Sequence, residues 1–190
     1  MLNIALFGPP GAGKGTQAKM IVDKYNLKHL STGDMIRKEI SEATELGLTA
    51  QEIINRGELL SDEIVIKMVE NCVKSNMDAP GFLFDGFPRT QAQAEILDGI
   101  LAGLGTQLDT LVSIEVPFDI LKARMLKRAA VEGRADDTEE VIENRFKEYN
   151  AKTVHVAAYY NGLGKETKVD GNLSVEEVFA SIASALDKLK

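Results

Sequence analysis

Gly8-Pro9-Pro10-Gly11-Ala12-Gly13-Lys14-Gly15-Thr16 is the stretch that decides the reading of this chain. Its glycines allow backbone N–H groups to turn inward around an anion, in conformations closed to most side chains. An apolar run at residues 2–7 precedes it and reads as a strand, and a helical pattern starting near Lys14 follows it. Strand, glycine turn and helix in that order are the context a phosphate-binding loop requires. The helix would turn its partially positive N-terminus toward the same anion. Lys14 would reach the β- and γ-phosphates of a nucleotide, and a nearby hydroxyl would help hold Mg²⁺. The hydroxyl is displaced by one residue from the general pattern, because Gly15 follows the lysine and Thr16 comes next.

Outward from this loop, stretches of strand character recur at 29–31, 82–84, 111–116 and, weakly, 167–169, with helical spacing between them. Such alternation predicts a parallel sheet covered by helices on both faces. Two segments interrupt it. Residues 33–60 offer two helical patterns with no strand between them, and residues 129–137 are polar and resemble a short excursion. Both follow strand ends, where open α/β sheets bind their ligands. Toward the C-terminus, Val175, Val178, Phe179, Ile182, Leu186 and Leu189 share one face of a predicted helix. Ser174 and Glu177 would form its capping box.

At 190 residues, with 44% hydrophobic and 27% charged residues, the chain suits one compact domain with small inserts. No apolar run approaches the roughly 20 residues of a membrane span, and the N-terminus lacks the pattern of a secretory signal. The single cysteine, Cys72, excludes an internal disulfide framework and a four-cysteine zinc site. It reads as a thiol packed on a helix, which fits a reducing cytoplasm. A net charge of −7 argues against a general nucleic-acid binder, which would carry a basic face.

Against that acidic background the seven arginines stand mostly beside loop and helix-end signals, the arrangement of a local anion pocket. Arg124 and Arg128 are four residues apart, so one helix face would present both to a phosphate chain, or both to solvent. Phe82-Leu83-Phe84-Asp85 reads as an apolar strand ending in a carboxylate, which either holds a metal ion, usually through water, or merely starts a turn.

Gly8–Thr16, Ser31-Thr32-Gly33-Asp34-Met35-Ile36-Arg37, Asp85-Gly86-Phe87-Pro88-Arg89-Thr90 and Gly133-Arg134-Ala135-Asp136-Asp137 together resemble adenylate kinases, in motif and in order, with a likeness running nearly end to end. The resemblance implies a P-loop NTPase-type three-layer α/β fold, with a five-stranded parallel sheet flanked by helices. It implies a core at 1–30, 61–126 and 138–190, an AMP-binding insert at 31–60 and a mobile lid at 127–137. That lid is of the short type, without structural zinc.

By the same resemblance, Gly11, Ala12, Gly13, Lys14, Gly15, Thr16, Arg128 and Leu173 would contact ATP. Thr32, Arg37, Glu58, Leu59, Leu60, Gly86, Phe87, Pro88, Arg89, Gln93, Arg134 and Arg145 would contact AMP. Catalysis would fall to Lys14, Arg89, Arg124, Arg128, Arg134 and Arg145. Asp85 would hold Mg²⁺ through water, with Thr16 in indirect reach. Asp137 would cap the following helix; Asp136 is left without an assigned role. His29 and His155 stand apart from the motifs in sequence and are expected in core or surface roles.

The implied activity is reversible transfer from MgATP to AMP, giving two ADP, by a monomer in the cytoplasm. A kinase of UMP or CMP shares fold and phosphate chemistry, although Gln93 and Thr32 favour adenine. A GTP-dependent switch would need an Asn-Lys-x-Asp motif, and the sequence has none.

Overall fold

The computed structural model describes residues 1–132 and 138–189. At its centre stands β1, Ile4–Phe7, an Ile-Ala-Leu-Phe run buried throughout. Around it lie β2 (Lys28–Ser31), β3 (Phe82–Asp85), β4 (Thr110–Glu115) and β5 (Glu166–Asp170). All neighbours pair in parallel, in the order β2-β3-β1-β4-β5, so the expected five-stranded sheet is present.

Period-two alternation divides the core into two layers. Ala5, Phe7, Leu30, Phe82, Phe84 and Leu111 face one layer. Ile4, Leu6, Leu83, Val112, Ile114 and Val169 face the other. The first layer is closed by α4 (Asp62–Lys74), α5 (Gln91–Gly103) and α8 (Val154–Gly162), through Val65, Val69 and Val73, Ala94, Leu97 and Leu101, and Val156 and Tyr160. The second is closed by α1 (Lys14–Tyr25), α6 (Phe118–Glu132), α7 (Glu139–Glu148) and α9 (Val175–Leu186). Burial on both faces explains why β1 and β3 are apolar runs rather than alternating ones.

Between β2 and α4 lie α2 (Thr32–Ser41) and α3 (Glu45–Asn55), the two helices without an intervening strand. Ser31 caps α2 by accepting from Asp34 N, and Thr44 caps α3 by accepting from Gly47 N. One boundary differs from the sequence reading. α6 continues through Glu132, because 129–132 is Ala-Ala-Val-Glu and no breaker occurs before Gly133. Arg134, Asp136 and Asp137 lie outside the described residues.

At the C-terminus the Ser174–Glu177 capping box is formed on both sides. Val178, Ile182 and Leu186 are buried, but Val175 is 43% and Leu189 is 47% exposed. Val175 opens α9 at its first turn, and Leu189 sits beyond it in a 3₁₀ turn, Asp187–Leu189, that leaves the helical face. Cys72 is a free, partly buried thiol on α4, packed against the first layer. Burial pushes its pKa up. No helix among the described residues is long and apolar enough to cross a membrane.

Because Ser174 satisfies the Glu177 N–H and receives its carboxylate in return, Ser174→Ala is expected to cost about 1 kcal/mol. Urea unfolding measures this; an unchanged midpoint would show that the cap contributes nothing.

Candidate functional site

Strand register gathers the site at the carboxyl edge of the sheet. Asp85 pairs with Leu6 on one side and Ser31 on the other, so its carboxylate stands beside the exit of β1. The glycine loop leaves β1 at Gly8, whose φ of 146° and lack of a Cβ are both required, since a Cβ would lie 2.7 Å from Ile114 O. The loop enters α1 through Gly13 in a left-handed conformation. No side chain caps the helix and its first turn has no acidic residue, so the positive helix end is left for an anion. Lys14 folds back over its own loop, donating to Gly8 O at 2.8 Å and Pro9 O at 3.1 Å.

Facing the loop is a cleft of about 270 Å³ that extends toward α2 and α3. Gly8, Pro10 and Lys14 line one end; Thr32, Gly33, Arg37, Glu58, Leu59 and Leu60 line the other. Gly86, Pro88, Arg89, Gln93 and Arg145 complete the polar wall. Gly11, Ala12, Gly13, Gly15 and Thr16 belong to the loop and helix start rather than to this cleft, and Phe87 is buried beneath it.

Positive charge converges here. Burial lowers the Lys14 pKa to about 8, and Arg89, Arg145 and Arg128 add to the fall while Asp85 opposes it. Burial likewise lowers Arg89; Asp85 opposes that shift and Arg37 adds to it. The predicted Arg89, Arg128 and Arg145 are therefore close enough to act on Lys14, with Asp85 as the nearby carboxylate.

The end of the cleft away from the loop is held by a linked set of hydrogen bonds. Thr32 Oγ1 donates to Gly86 O at 3.0 Å, and Arg89 Nε donates to the same carbonyl at 2.8 Å. Gln93 Oε1 accepts from Arg89 N and its Nε2 donates to Asp62 Oδ1, both at 2.8 Å. One N–H and one lone pair of that amide remain, a paired donor and acceptor. Arg37 pairs with Asp34, and Glu58 with Arg56.

Asp85 and Arg128 act on Lys14 without lining this cleft, and two further predicted residues lie apart from it. Arg124 Nη2 donates to Gly171 O at 3.0 Å, and Leu173, two residues further on, is exposed. His29 belongs to none of the motifs but joins one in space: its Nε2 lies 3.6 Å from Asp85 Oδ2.

Several wall residues carry no motif. Asp62 holds both Gln93 and Thr90 from 28 or more positions away, and no local pattern announces it. Tyr149 and Thr153 bound a π-helical turn, Tyr149–Thr153, that follows Arg145 by one helical turn. Burial pushes the Tyr149 hydroxyl up to about 12, so it stays neutral. Ile36 and Ile40, one turn apart on α2, also line the cleft.

A loop built for a phosphate chain at the end of a central parallel strand places this molecule among P-loop nucleotide-binding proteins. Comparison with known proteins narrows the class. The family model described as adenylate kinase matches residues 6–165. An adenylate kinase from Caulobacter vibrioides is 47% identical over 98% of this chain and 97% of its own. Those of Flavobacterium psychrophilum and Bacteroides thetaiotaomicron are 45% and 44% identical over the full length of both chains. The chain belongs to the adenylate kinase family.

The depressed Lys14 pKa has a measurable consequence. Without nucleotide, the ammonium is lost above about pH 8 in the folded chain, yet kept to about 10.5 when unfolded. From this group, stability therefore rises with pH across that window, and the burial penalty is fully present below it. A bound phosphate chain restores the proton. Calorimetry of ATP binding at about pH 9, in buffers of different ionisation enthalpy, is expected to show proton uptake. The uptake should vanish in Lys14→Met; equal uptake in both proteins would remove Lys14 from the phosphate site.

Proposed function

We propose that the chain catalyses reversible phosphoryl transfer from MgATP to AMP, giving two ADP. The observation that carries this is one cleft with the glycine loop and Lys14 at one end, Thr32, Arg37 and residues 58–60 at the other, and Arg89 and Arg145 in its wall. ATP lies with its phosphates on residues 11–16 and its base near Leu173. AMP lies between Thr32, Arg37, residues 58–60 and residues 86–89, with Gln93 at the adenine. The free N–H and lone pair of Gln93 suit the donor and acceptor that adenine presents side by side.

Phosphoryl transfer needs positioning and charge neutralisation more than covalent help. Lys14, Arg89, Arg128 and Arg145 neutralise charge on the transferred group, joined by Arg124 and Arg134 in the reading from sequence. The attacking phosphate oxygen of AMP is already anionic, so no general base is required. Asp85, a single carboxylate 14% exposed beside the loop, suits a metal ion that arrives with the nucleotide and is held through water. The ion supplies further neutralisation of phosphate charge. Residues 31–60 close over the substrates and exclude water, which would otherwise take the phosphoryl group. The chain acts as a monomer in the cytoplasm, a setting supported by its free thiol.

UMP/CMP kinase activity is not favoured, since the full-length relatives are named adenylate kinases. A coupled assay with AMP, UMP, CMP and GMP is expected to prefer AMP, and a preference for UMP would reverse the assignment. Lys14→Met and Arg89→Ala are each expected to lower kcat/KM by at least ~10²-fold. Near wild-type turnover in either would remove that residue from catalysis. Two adenosines joined through five phosphates should bind tightly across the cleft, and lack of affinity would refute the two-nucleotide arrangement.

A further inference from the structure

Gln17 sits three residues beyond Lys14 on α1 and is 3% exposed. Its Nε2 donates to Val175 O, at the first residue of α9, at 3.0 Å. Its Oε1 is buried and has no partner among the described residues. The amide orientation is fixed by chemistry, because the opposite one would set a carbonyl against a carbonyl. An apolar side chain of equal volume would fill this place without leaving a buried acceptor unpaired, which is costly. Packing alone therefore does not account for a glutamine here. The bond to Val175 does.

That bond is one of three on a single segment. Arg124 Nη2 donates to Gly171 O at 3.0 Å, and Gly171 N donates to Glu115 O at 2.8 Å. Gly171 lies so close to β4 that a Cβ would be 2.5 Å from Ile114 Cγ2 and from Val116 Cγ2. Residues 170–175 are thus fixed through their backbone from α1, α6 and β4, while Asn172 and Leu173 stay exposed. A segment with a pinned main chain and exposed side chains is suited to meet a ligand by shape and backbone groups.

We propose that Gln17 is a positioning residue for the phosphoryl donor: it fixes residues 170–175, which face the base of ATP, relative to the phosphate loop. Because α1 carries both Lys14 and Gln17, one rigid helix sets the distance between the two ends of the nucleotide's site. This deepens the placement of ATP given above and rests on it.

The test compares wild type, Gln17→Met and Gln17→Glu in the full chain. Methionine fills the volume without a donor, and glutamate sets an oxygen against the Val175 carbonyl. Each variant is expected to raise KM for ATP, and Kd for a non-hydrolysable ATP analogue, about tenfold, the effect of one lost hydrogen bond. KM for AMP and kcat should stay within about twofold, and the Tm of Gln17→Met should equal or exceed that of wild type. A purely structural role would instead lower Tm and disturb both substrates alike, and that result overturns the proposal. So does an unchanged KM for ATP, or failure of both variants to fold. Because analogue binding is read directly, a wild type that binds ATP yet prefers an acceptor other than AMP would correct the functional reading and leave this inference standing.

Discussion

Crowded positive charge is the constraint from which the rest of this molecule follows. Lys14 lies within the fields of Arg89, Arg145 and Arg128 beside Asp85, in surroundings dry enough to push the lysine down to about 8. Like charges in a poorly screened site repel strongly, so the arrangement persists only because a rigid frame holds it. Register between β1, β2 and β3 supplies that frame by fixing Asp85 beside the exit of β1. The same repulsion suits the site to phosphate chains. Two nucleotides meeting end to end, as proposed above, would bring a density of negative charge that ordinary metabolites lack.

The frame is itself stiff for an elementary reason. β1 is buried on both faces, with Ala5 and Phe7 in one layer and Ile4 and Leu6 in the other. A strand so enclosed cannot slip by one residue without moving every side chain into the wrong layer. The glycine loop inherits that rigidity at its start, and α1 fixes its end. Backbone N–H groups held this way do not need to reorganise when a phosphate arrives, which is where electrostatic preorganisation gains its effect.

Legibility in the sequence followed the range of the interactions involved. The phosphate loop, the strand before it and the Ser174–Glu177 box are local, and each carries its pattern in a few adjacent residues. Asp85 and Arg89 were legible because a strand end and its following turn are contiguous. Asp62 was not, because its only connection to the site is through Gln93 and Thr90, which the fold alone brings near. His29 fails the same test: β2 and β3 are over fifty residues apart, and only their pairing sets the imidazole beside Asp85. The helical extension through Glu132 was missed for the opposite reason. Polar composition suggested a loop, whereas helix propensity with no breaker before Gly133 decided the local structure.

The division of labour between side chains and backbone explains why the two ends of the site differ in character. At the end proposed for AMP, Arg89 and Thr32 share one carbonyl, Gly86 O, and Gln93 is locked by Asp62 and by the Arg89 amide. Every polar group there is oriented by another, so a wrong base would leave fixed groups unpaired, and discrimination can be large. At the end proposed for the base of ATP the side chains of residues 172–173 are exposed and the main chain is secured. Backbone groups on a loop read a base less strictly than a locked amide does. In the arrangement proposed above, the acceptor is therefore the substrate the site distinguishes most sharply, and the donor is recognised chiefly through its phosphates. That asymmetry suits the chemistry: the donor's triphosphate identifies it, whereas monophosphates differ from one another only in sugar and base.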